Sequence, residues 1–270
     1  MSSKRTWSKY QEASFKAVTE STDSYIVDAK AGASKTTSIV EAVNRLDRDV
    51  DVLMMAFNKS IAEELKQRVP STVATLTYNA CGYRALRGRM PKSNFDQYKI
   101  RNLVRTWFKD RVVHDMIDTD SREMDAATVI MNYDPKKSQN GALAEVLQNW
   151  YGSAVAQLVD LARQFLLGQD DSWNWLIARY DISFGSVAAS EETAEVLAKF
   201  ILDRSIQQAK SENIIDFTDQ LYLPILWQLP FMQFDFIVVD EAQDTNAVQR
   251  AIIKACMMPG ARVLAVGDPN

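Results

Sequence analysis

Short runs of apolar, β-prone residues alternate with helical patterns at both ends of the chain, and this alternation restricts the possible fold more than any other feature. The strand patterns lie at residues 24–29, 51–57, 71–77, 234–240 and 262–268. Helical patterns separate them within each end, and the first helix has Ser8 as a plausible N-cap. Strands and helices that alternate in this way predict an α/β fold with a parallel sheet.

The middle of the chain has a different pattern of apolar residues. From about Phe95 to Ser211 the β-prone runs disappear and long amphipathic stretches predominate. We therefore predict one α/β domain, made of residues 1–93 and 212–270, that is interrupted by a mostly helical subdomain, residues 94–211. Basic residues recur every four positions near the start of this insertion, which is more typical of a solvated face than of a binding stripe.

The composition excludes several classes of protein. The only two cysteines, Cys81 and Cys256, and the single histidine, His114, are too few for a disulfide framework or a zinc cluster. No run approaches the roughly 20 apolar residues that span a bilayer, and the N-terminus lacks the apolar segment of a secretory signal. We expect an intracellular protein without membrane association, in the cytoplasm or nucleoid or, for a viral protein, in the host cytoplasm. The net charge of −4 does not by itself indicate a nucleic-acid partner.

The segment from Ala29 to Thr36 follows a strand pattern and begins a helical one, which is where phosphate-binding loops occur. Lys35 is predicted to reach the β and γ phosphates of ATP, and the Thr36 hydroxyl to bind Mg²⁺. Ser34 stands where such loops usually carry glycine, so a Cβ there is expected to weaken binding or turnover. A small-residue turn is the alternative for this segment. The predicted nucleotide-binding residues of the segment are Ala31, Gly32, Ala33, Ser34, Lys35, Thr36 and Thr37.

A hydrophobic strand pattern that ends in two adjacent carboxylates, Asp240 and Glu241, predicts the other half of the site. Ligands of open α/β sheets bind at the carboxyl ends of the strands. Asp240 is predicted to hold Mg²⁺, and Glu241 to orient and deprotonate the water that attacks the phosphate. An acidic helix N-terminus is the alternative when this pattern is taken alone.

The stretch Asp240–Asp244, followed by Val266–Asn270, resembles motifs II and III of the UvrD/Rep helicases of superfamily 1, with Gln243 and Asp268 at motif positions. The residues Met55–Ser60 are similar to those of the phage and F-box DNA helicase branches. The resemblance implies a RecA-like P-loop NTPase fold, and the glutamine that follows in motif III is absent, so we expect a second RecA-like domain to be missing. Ser8-Lys-Tyr-Gln11 resembles the adenine-recognising Q motif, which implies that Gln11 contacts adenine.

The resemblance also implies contacts with single-stranded DNA at the ends of two strands. Met55–Ser60 resembles motif Ia, and Thr75–Gly82 resembles the next DNA-contacting segment, with Asn79 in place of the usual histidine. Aromatic rings at strand ends can stack on bases without sequence preference, whereas core packing is the alternative for each ring. The predicted DNA-binding residues are Phe57, Asn58, Lys59, Thr77, Tyr78 and Asn79.

These features predict the ATP-binding part of an ATP-dependent DNA helicase or translocase that moves on single-stranded or partly duplex DNA. We expect the 270-residue chain by itself not to unwind duplex, because in this family the second domain supplies the arginines that stabilise the transition state. One alternative is a nucleotide-binding regulatory or DNA-binding module with impaired hydrolysis. A P-loop kinase is another, which the motor-like motifs disfavour.

Overall fold

The computed structural model of the protein describes residues 6–30, 35–114, 140–186 and 189–268. The chain forms two compact units. The α/β unit consists of Met1–Arg89 and Pro224–Asn270, and the helical unit consists of Met90–Leu223. The domain limits at residues 93/94 and 211/212 stay a prediction.

The units differ in the elements that they contain. The α/β unit contains, in chain order, α1 (Lys9–Glu20), β1 (Tyr25–Asp28), α2 (Lys35–Asn44), β2 (Val52–Ala56), α3 (Lys59–Arg68), β3 (Ala74–Thr77), α4 (Tyr78–Arg89), β6 (Phe234–Val239), a 3₁₀ turn (Ala242–Asp244), α10 (Ala247–Ala255) and β7 (Met257–Gly267). The helical unit contains β4 (Asn94–Phe95), α5 (Lys99–His114), α6 (Asn140–Phe165), α7 (Asn174–Arg179), α8 (Glu191–Glu212) and β5 (Ile214–Ile215). Helix α9 (Asp219–Leu226) contains the second boundary between the units.

Five strands of the α/β unit form a parallel sheet in the order β1-β7-β6-β2-β3. All five residues of β2 are buried, as expected for an inner strand with both faces covered. Side chains from α1 and α2, among them Phe15, Val18 and Ile39, pack with β2, β6 and β7 in one core. The predicted α/β class with a parallel, RecA-like sheet is confirmed.

Local capping explains where several helices begin. The Ser8 side chain caps α1 and forms a reciprocal capping box with Gln11, which confirms Ser8 as the N-cap. Asn58 caps α3 by accepting a hydrogen bond from the Ile61 amide at 2.9 Å. Helix α2 begins at Lys35, three residues before the helical pattern in the sequence, because the apolar period starts only after the polar first turn.

The helical unit also contains a short parallel pair, in which Asn94 lies opposite Ile214 and Phe95 opposite Ile215. Two residues are too few to show a period, so the sequence does not predict this pair. The core of the unit includes the fully buried Trp173.

Two buried cations hold two buried carboxylates inside the helical unit. Arg163 Nη1 donates to Asp216 Oδ1 at 2.8 Å and to Asp219 Oδ1 at 2.9 Å. Lys99 Nζ donates to Asp219 Oδ2 at 2.6 Å and to the Ser205 carbonyl at 2.8 Å. Burial lowers the pKa of the Arg163 guanidinium, but the nearby carboxylates outweigh burial and raise it above its usual range. Arg163 is therefore charged at any physiological pH.

Across the described parts of both units, no helix is long and apolar enough to cross a membrane.

Candidate functional site

The strand order brings the two predicted halves of the site to one edge of the sheet. Strands β1 and β6 are both neighbours of β7, and the three run parallel. The segments that follow β1 and β6 therefore emerge on the same side. Just past β1, the Ala29 amide donates to the Gly267 carbonyl at the end of β7, at 2.9 Å.

Lys35 and Glu241 form a direct ion pair across this edge. Lys35 Nζ lies 2.6 Å from Glu241 Oε2, and the lysine side chain is largely shielded from solvent. The hydrogen bond to Glu241 raises the pKa of the Lys35 ammonium above its usual range. Hydrogen bonds from Gln243 and from Lys35 hold the pKa of the Glu241 carboxyl below its usual range. Both groups are therefore charged near neutral pH, as phosphate binding and proton abstraction require.

Thr36 and Asp240 form a second pair beside the first. The Thr36 hydroxyl donates to Asp240 Oδ2 at 3.1 Å, and Asp240 Oδ1 accepts from the Glu241 amide at 3.0 Å. Burial raises the pKa of the Asp240 carboxyl, although these two hydrogen bonds oppose the change.

The oxygen atoms of Thr36 and Asp240 suit Mg²⁺, a hard cation that proteins usually hold through one or two carboxylates together with substrate phosphates. Within the described ranges, no group of three or more His, Cys, Asp or Glu side chains could hold a metal ion. A Mg²⁺ ion at this pair would thus take its remaining ligands from phosphate oxygens and water.

The backbone at Glu241 is unusual. Its φ of 48° lies in the left-handed region, which non-glycine residues seldom occupy and which costs on the order of 1–3 kcal/mol. The turn directs the carboxylate towards Lys35, and the following 3₁₀ turn begins at Ala242. Four other described non-glycine residues also have a positive φ, and Glu241 is the one of the five that lies in the candidate site.

Gln243 connects Glu241 with the end of β7. Its Nε2 donates to Glu241 Oε2 at 2.9 Å, and its Oε1 accepts from the Asp268 amide at 3.1 Å. An added Cβ at Gly267 would lie 2.4 Å from Gln243 Oε1, so only glycine allows this approach. The two motif positions carried over from the resemblance, Gln243 and Asp268, are thus in direct contact.

The Gln11 amide links α1 to α2. Its Oε1 accepts from the Ser8 amide at 2.9 Å, and its Nε2 donates to the Ser38 hydroxyl at 2.7 Å. A base that pairs with this amide would have to replace both bonds, and the adenine contact stays a prediction.

Two parts of the predicted nucleotide-binding segment remain, residues 31–34 and Thr37. Residues 31–34, which are Ala31, Gly32, Ala33 and Ser34, lie outside the described residues. The Thr37 hydroxyl accepts from Arg68 Nη2 of α3 at 3.0 Å, so this side chain contributes to the packing of two helices.

The predicted DNA contacts lie at the ends of the adjacent strands β2 and β3. Phe57 is 53% exposed directly after β2, and the exposed Lys59 side chain lies 3.7 Å from Glu63. Asn58 is occupied as the cap of α3. These positions form a polar surface with one accessible ring.

The predicted DNA-binding side chains at the end of β3 are buried or half-buried. Tyr78 is only 3% exposed, so its ring has no face available to a base, and burial raises its pKa. The Thr77 hydroxyl accepts from the Ala80 amide at 3.1 Å, and Asn79 is half-buried. Core packing is therefore favoured at Tyr78, and Phe57 is the better candidate for stacking.

The sequence did not indicate that the two cysteines are neighbours. Cys81 and Cys256 are both buried free thiols, as predicted, and the nearby Cys256 together with burial raises the pKa of the Cys81 thiol. Their separation along the chain left no local signal for this contact.

A parallel sheet whose strand edge carries Lys-Thr opposite Asp-Glu defines a RecA-like P-loop nucleoside triphosphatase domain. The family model of the UvrD/REP helicase N-terminal domain matches residues 10–270, and the chain therefore belongs to this family. Membership makes ATP and DNA the ligand classes of the domain and ATP-dependent DNA helicase its class of function. No curated protein matches the chain.

Proposed function

We propose that the protein hydrolyses ATP with Mg²⁺ at the Lys35–Glu241 edge and couples hydrolysis to movement along single-stranded DNA. The observation that carries this proposal is the pair of contacts Lys35–Glu241 and Thr36–Asp240, at 2.6 and 3.1 Å. They bring a lysine ammonium, two oxygen ligands and a second carboxylate to one place, which supports the proposed phosphate-binding cation, metal site and general base.

Each side chain has a separate task in the proposed reaction. Lys35 leaves Glu241 and holds the β and γ phosphates. Thr36 and Asp240 hold Mg²⁺, which neutralises charge on the phosphates when bound. Glu241, released from the lysine, orients the attacking water and accepts its proton. Gln243 keeps the Glu241 carboxylate in position by donating to it, and the Asp268 amide holds the glutamine in turn.

The proposed single-strand contact lies at the ends of β2 and β3. The exposed Phe57 ring stacks on a base and Lys59 attracts a phosphate, which together bind a strand without reading its sequence. Because the proposed substrate is chromosomal or viral DNA, we propose that the protein acts inside the cell.

The test is ATP hydrolysis by the full-length protein, followed as phosphate release with and without single-stranded DNA. Lys35→Ala and Glu241→Gln are each expected to lower the rate at least a hundredfold, because the phosphate cation or the base is lost. Lys16→Ala, which removes an exposed lysine paired only loosely with Glu20 at 3.6 Å, is the control and should hydrolyse at the unaltered rate. Unaltered hydrolysis in both site variants would show that the site is wrongly assigned.

The same experiment addresses the alternative of a regulatory module. Tight binding of ATP without phosphate release, with or without DNA, would indicate a nucleotide-binding module that has lost hydrolysis. The Ser34 position in the phosphate loop makes this comparison necessary, because a Cβ near the phosphates disfavours close approach.

We further propose that the arginines that stabilise the transition state come from a second RecA-like domain outside these 270 residues. The chain alone should then fail to separate a fluorescently labelled forked duplex in the presence of ATP. Efficient strand separation would contradict this.

A further inference from the structure

Arg68, the last residue of α3, is bonded to the beginning of α2. Its Nη2 donates to the Thr37 hydroxyl at 3.0 Å, and its Nη1 donates to Glu64 Oε1 in α3 at 3.0 Å. A guanidinium presents its donors in a planar fork, so two bonded partners together fix its direction. Arg68 therefore attaches the first turn of α2 to the body of α3.

Thr37 lies in the helical turn that also carries the proposed phosphate and metal ligands. Lys35 and Thr36 directly precede it in α2. Residues of one helical turn move together, because backbone hydrogen bonds join each residue to the one four positions further on. A shift of Thr37 therefore also shifts the two side chains that face Glu241 and Asp240.

The other end of α3 lies at the proposed DNA contact. Phe57 directly follows β2, and Asn58 caps α3, which begins at Lys59. The helix has 10 residues and so spans about 15 Å at 1.5 Å per residue. A single helix thus joins the strand contact at Phe57 to the guanidinium of Arg68.

Apolar packing between α2 and α3 does not by itself fix their relative position along the helix axes. Leu65 of α3 lies in the same core as Ile39 and Val40 of α2. Such contacts are non-directional, and packed helices can slide over one another by small distances. The bond from Arg68 to Thr37 is directional and charge-assisted. A shift of α3 is therefore passed to the first turn of α2 through this bond.

We propose that Arg68 is a positioning residue that couples single-strand binding at the end of β2 to ATP hydrolysis. A strand that binds at Phe57 shifts α3, and Arg68 carries this shift to Thr37. The first turn of α2 then releases Lys35 to the phosphates. The inference rests on the proposed function for the identity of both ligands.

The first test is ATP hydrolysis by the full-length protein at saturating ATP, measured against the concentration of an oligothymidylate of about 16 nucleotides. Arg68→Met should lower the maximal stimulation by the strand roughly fivefold, the factor that one hydrogen bond contributes. The strand concentration that gives half of the maximal stimulation should not change, because Phe57 and Lys59 are intact. The substitution retains the main-chain carbonyl of position 68, which accepts from Asn44 Nδ2 at 3.5 Å.

Arg45→Met is the matched control. The Arg45 side chain is 33% exposed, against 32% for Arg68, and it joins the end of α2 to Glu12 of α1 rather than to α3. This variant should keep the full stimulation. Thermal melting establishes that each variant is folded.

Thr37→Val removes the same bond from its other side. It should lose as much stimulation as Arg68→Met, and the double variant should lose no more than either single variant. Full stimulation in either single variant would overturn the proposal. So would an equal proportional loss of the rates with and without the strand, because Arg68 would then only stabilise the packing of the two helices.

A second readout does not depend on hydrolysis. Linkage requires that nucleotide changes the affinity for the strand if the strand changes the affinity for nucleotide. A non-hydrolysable ATP analogue should therefore change the affinity of the full-length protein for labelled oligothymidylate, measured by anisotropy, and Arg68→Met should remove most of this change.

The two readouts separate this inference from the proposed function. Hydrolysis that Lys35→Ala abolishes but that the strand does not stimulate, with no effect of the analogue on strand affinity, would refute the coupling and leave the ATP site intact. An effect of the analogue that depends on Arg68, without hydrolysis by the unaltered protein, would refute the proposed reaction and support the coupling.

Discussion

Glu241 combines a left-handed backbone with a carboxylate that is bonded to both Lys35 and Gln243. Without nucleotide, the proposed general base neutralises the cation that is proposed to bind phosphate. Under this proposal, nucleotide binding breaks the 2.6 Å ion pair before the lysine reaches a phosphate. Part of the binding free energy is used for this exchange.

Glu241→Gln is expected to bind ATP two- to fivefold more tightly, roughly, because a partly exposed ion pair contributes up to about 1 kcal/mol. Titration of a fluorescent ATP analogue measures the dissociation constant without hydrolysis. Glu20→Gln, which removes a loose surface pair with Lys16, is the control and should bind with unaltered affinity. Equal or weaker binding by Glu241→Gln would mean that the ion pair does not compete with nucleotide.

Asp240→Asn is expected to raise the Tm of the nucleotide-free protein by about 2 °C at pH 7.5. Burial raises the pKa of Asp240 in the folded state, so its proton is held more tightly there than in the unfolded chain. Stability from this group is complete below the ordinary aspartate pKa and decreases as the pH rises through the folded pKa. The neutral amide avoids that loss.

The pH dependence checks the cause of this stabilisation. The Tm difference between Asp240→Asn and the unaltered protein should vanish below the ordinary pKa of aspartate, where both side chains are uncharged. A difference that persists at that pH would attribute the effect to packing.

At the scale of elements, the contact between the 3₁₀ turn and β7 depends on a glycine. Gly267→Ala places a Cβ 2.4 Å from Gln243 Oε1, so the glutamine must move away from Glu241. We expect at least a tenfold slower ATP hydrolysis and a lower Tm.

The matched control for Gly267→Ala is Gly88→Ala. Gly88 lies in α4, and an added Cβ there meets nothing within 4 Å. Because alanine favours helix over glycine by about 1 kcal/mol, this variant should be slightly more stable and equally active. Equal activity in the two variants would show that Gln243 has no influence on the base.

Helices and strands with a strong period or a clear cap could be predicted from the sequence. The direction of side chains at strand–helix junctions and the pairing of very short strands could not. The all-apolar β2 and the Ser8 cap of α1 are local signals. Tyr78 is different, because a ring at a strand–helix junction points into the core or towards solvent according to what packs there. The β4–β5 pair joins residues 120 positions apart, as between Asn94 and Ile214, and leaves no local trace.

The site was predictable in its residue types and less so in its contacts. The roles expected for Lys35 and Asp240 follow from the motif and from the strand edge. The Lys35–Glu241 bond joins residues 206 positions apart and depends on the strand order β1-β7-β6. The Gln11 amide both caps α1 and donates to Ser38. The bond to Ser38 depends on how α1 and α2 pack, so the sequence did not predict it.

At the scale of the whole molecule, the buried charges of the helical unit depend on one another. Arg163→Met should destabilise the protein by about 3–5 kcal/mol, because Asp216 and Asp219 would stay buried without this cation. Urea denaturation measures the loss. Arg179→Met, which replaces an exposed arginine of the same unit, should change stability little.

Asp216→Asn in the Arg163→Met background should recover part of this loss, because it removes the carboxylate whose ion pair is lost, whereas Asp219 keeps its bond to Lys99. No recovery would mean that packing of the long arginine side chain, rather than its charge, stabilises the unit.

The sheet has one further consequence, for synthesis on the ribosome. Leu53 of β2 pairs with Ile237 of β6, so 184 residues separate the two partners. At about 5–20 residues per second, β2 waits roughly 10 to 40 seconds for its neighbour. During that interval an apolar strand edge is open to other chains, whereas most contacts of the helical unit can already form. Nascent chains of this protein should therefore be most prone to aggregation, and most in need of chaperones, before β6 emerges.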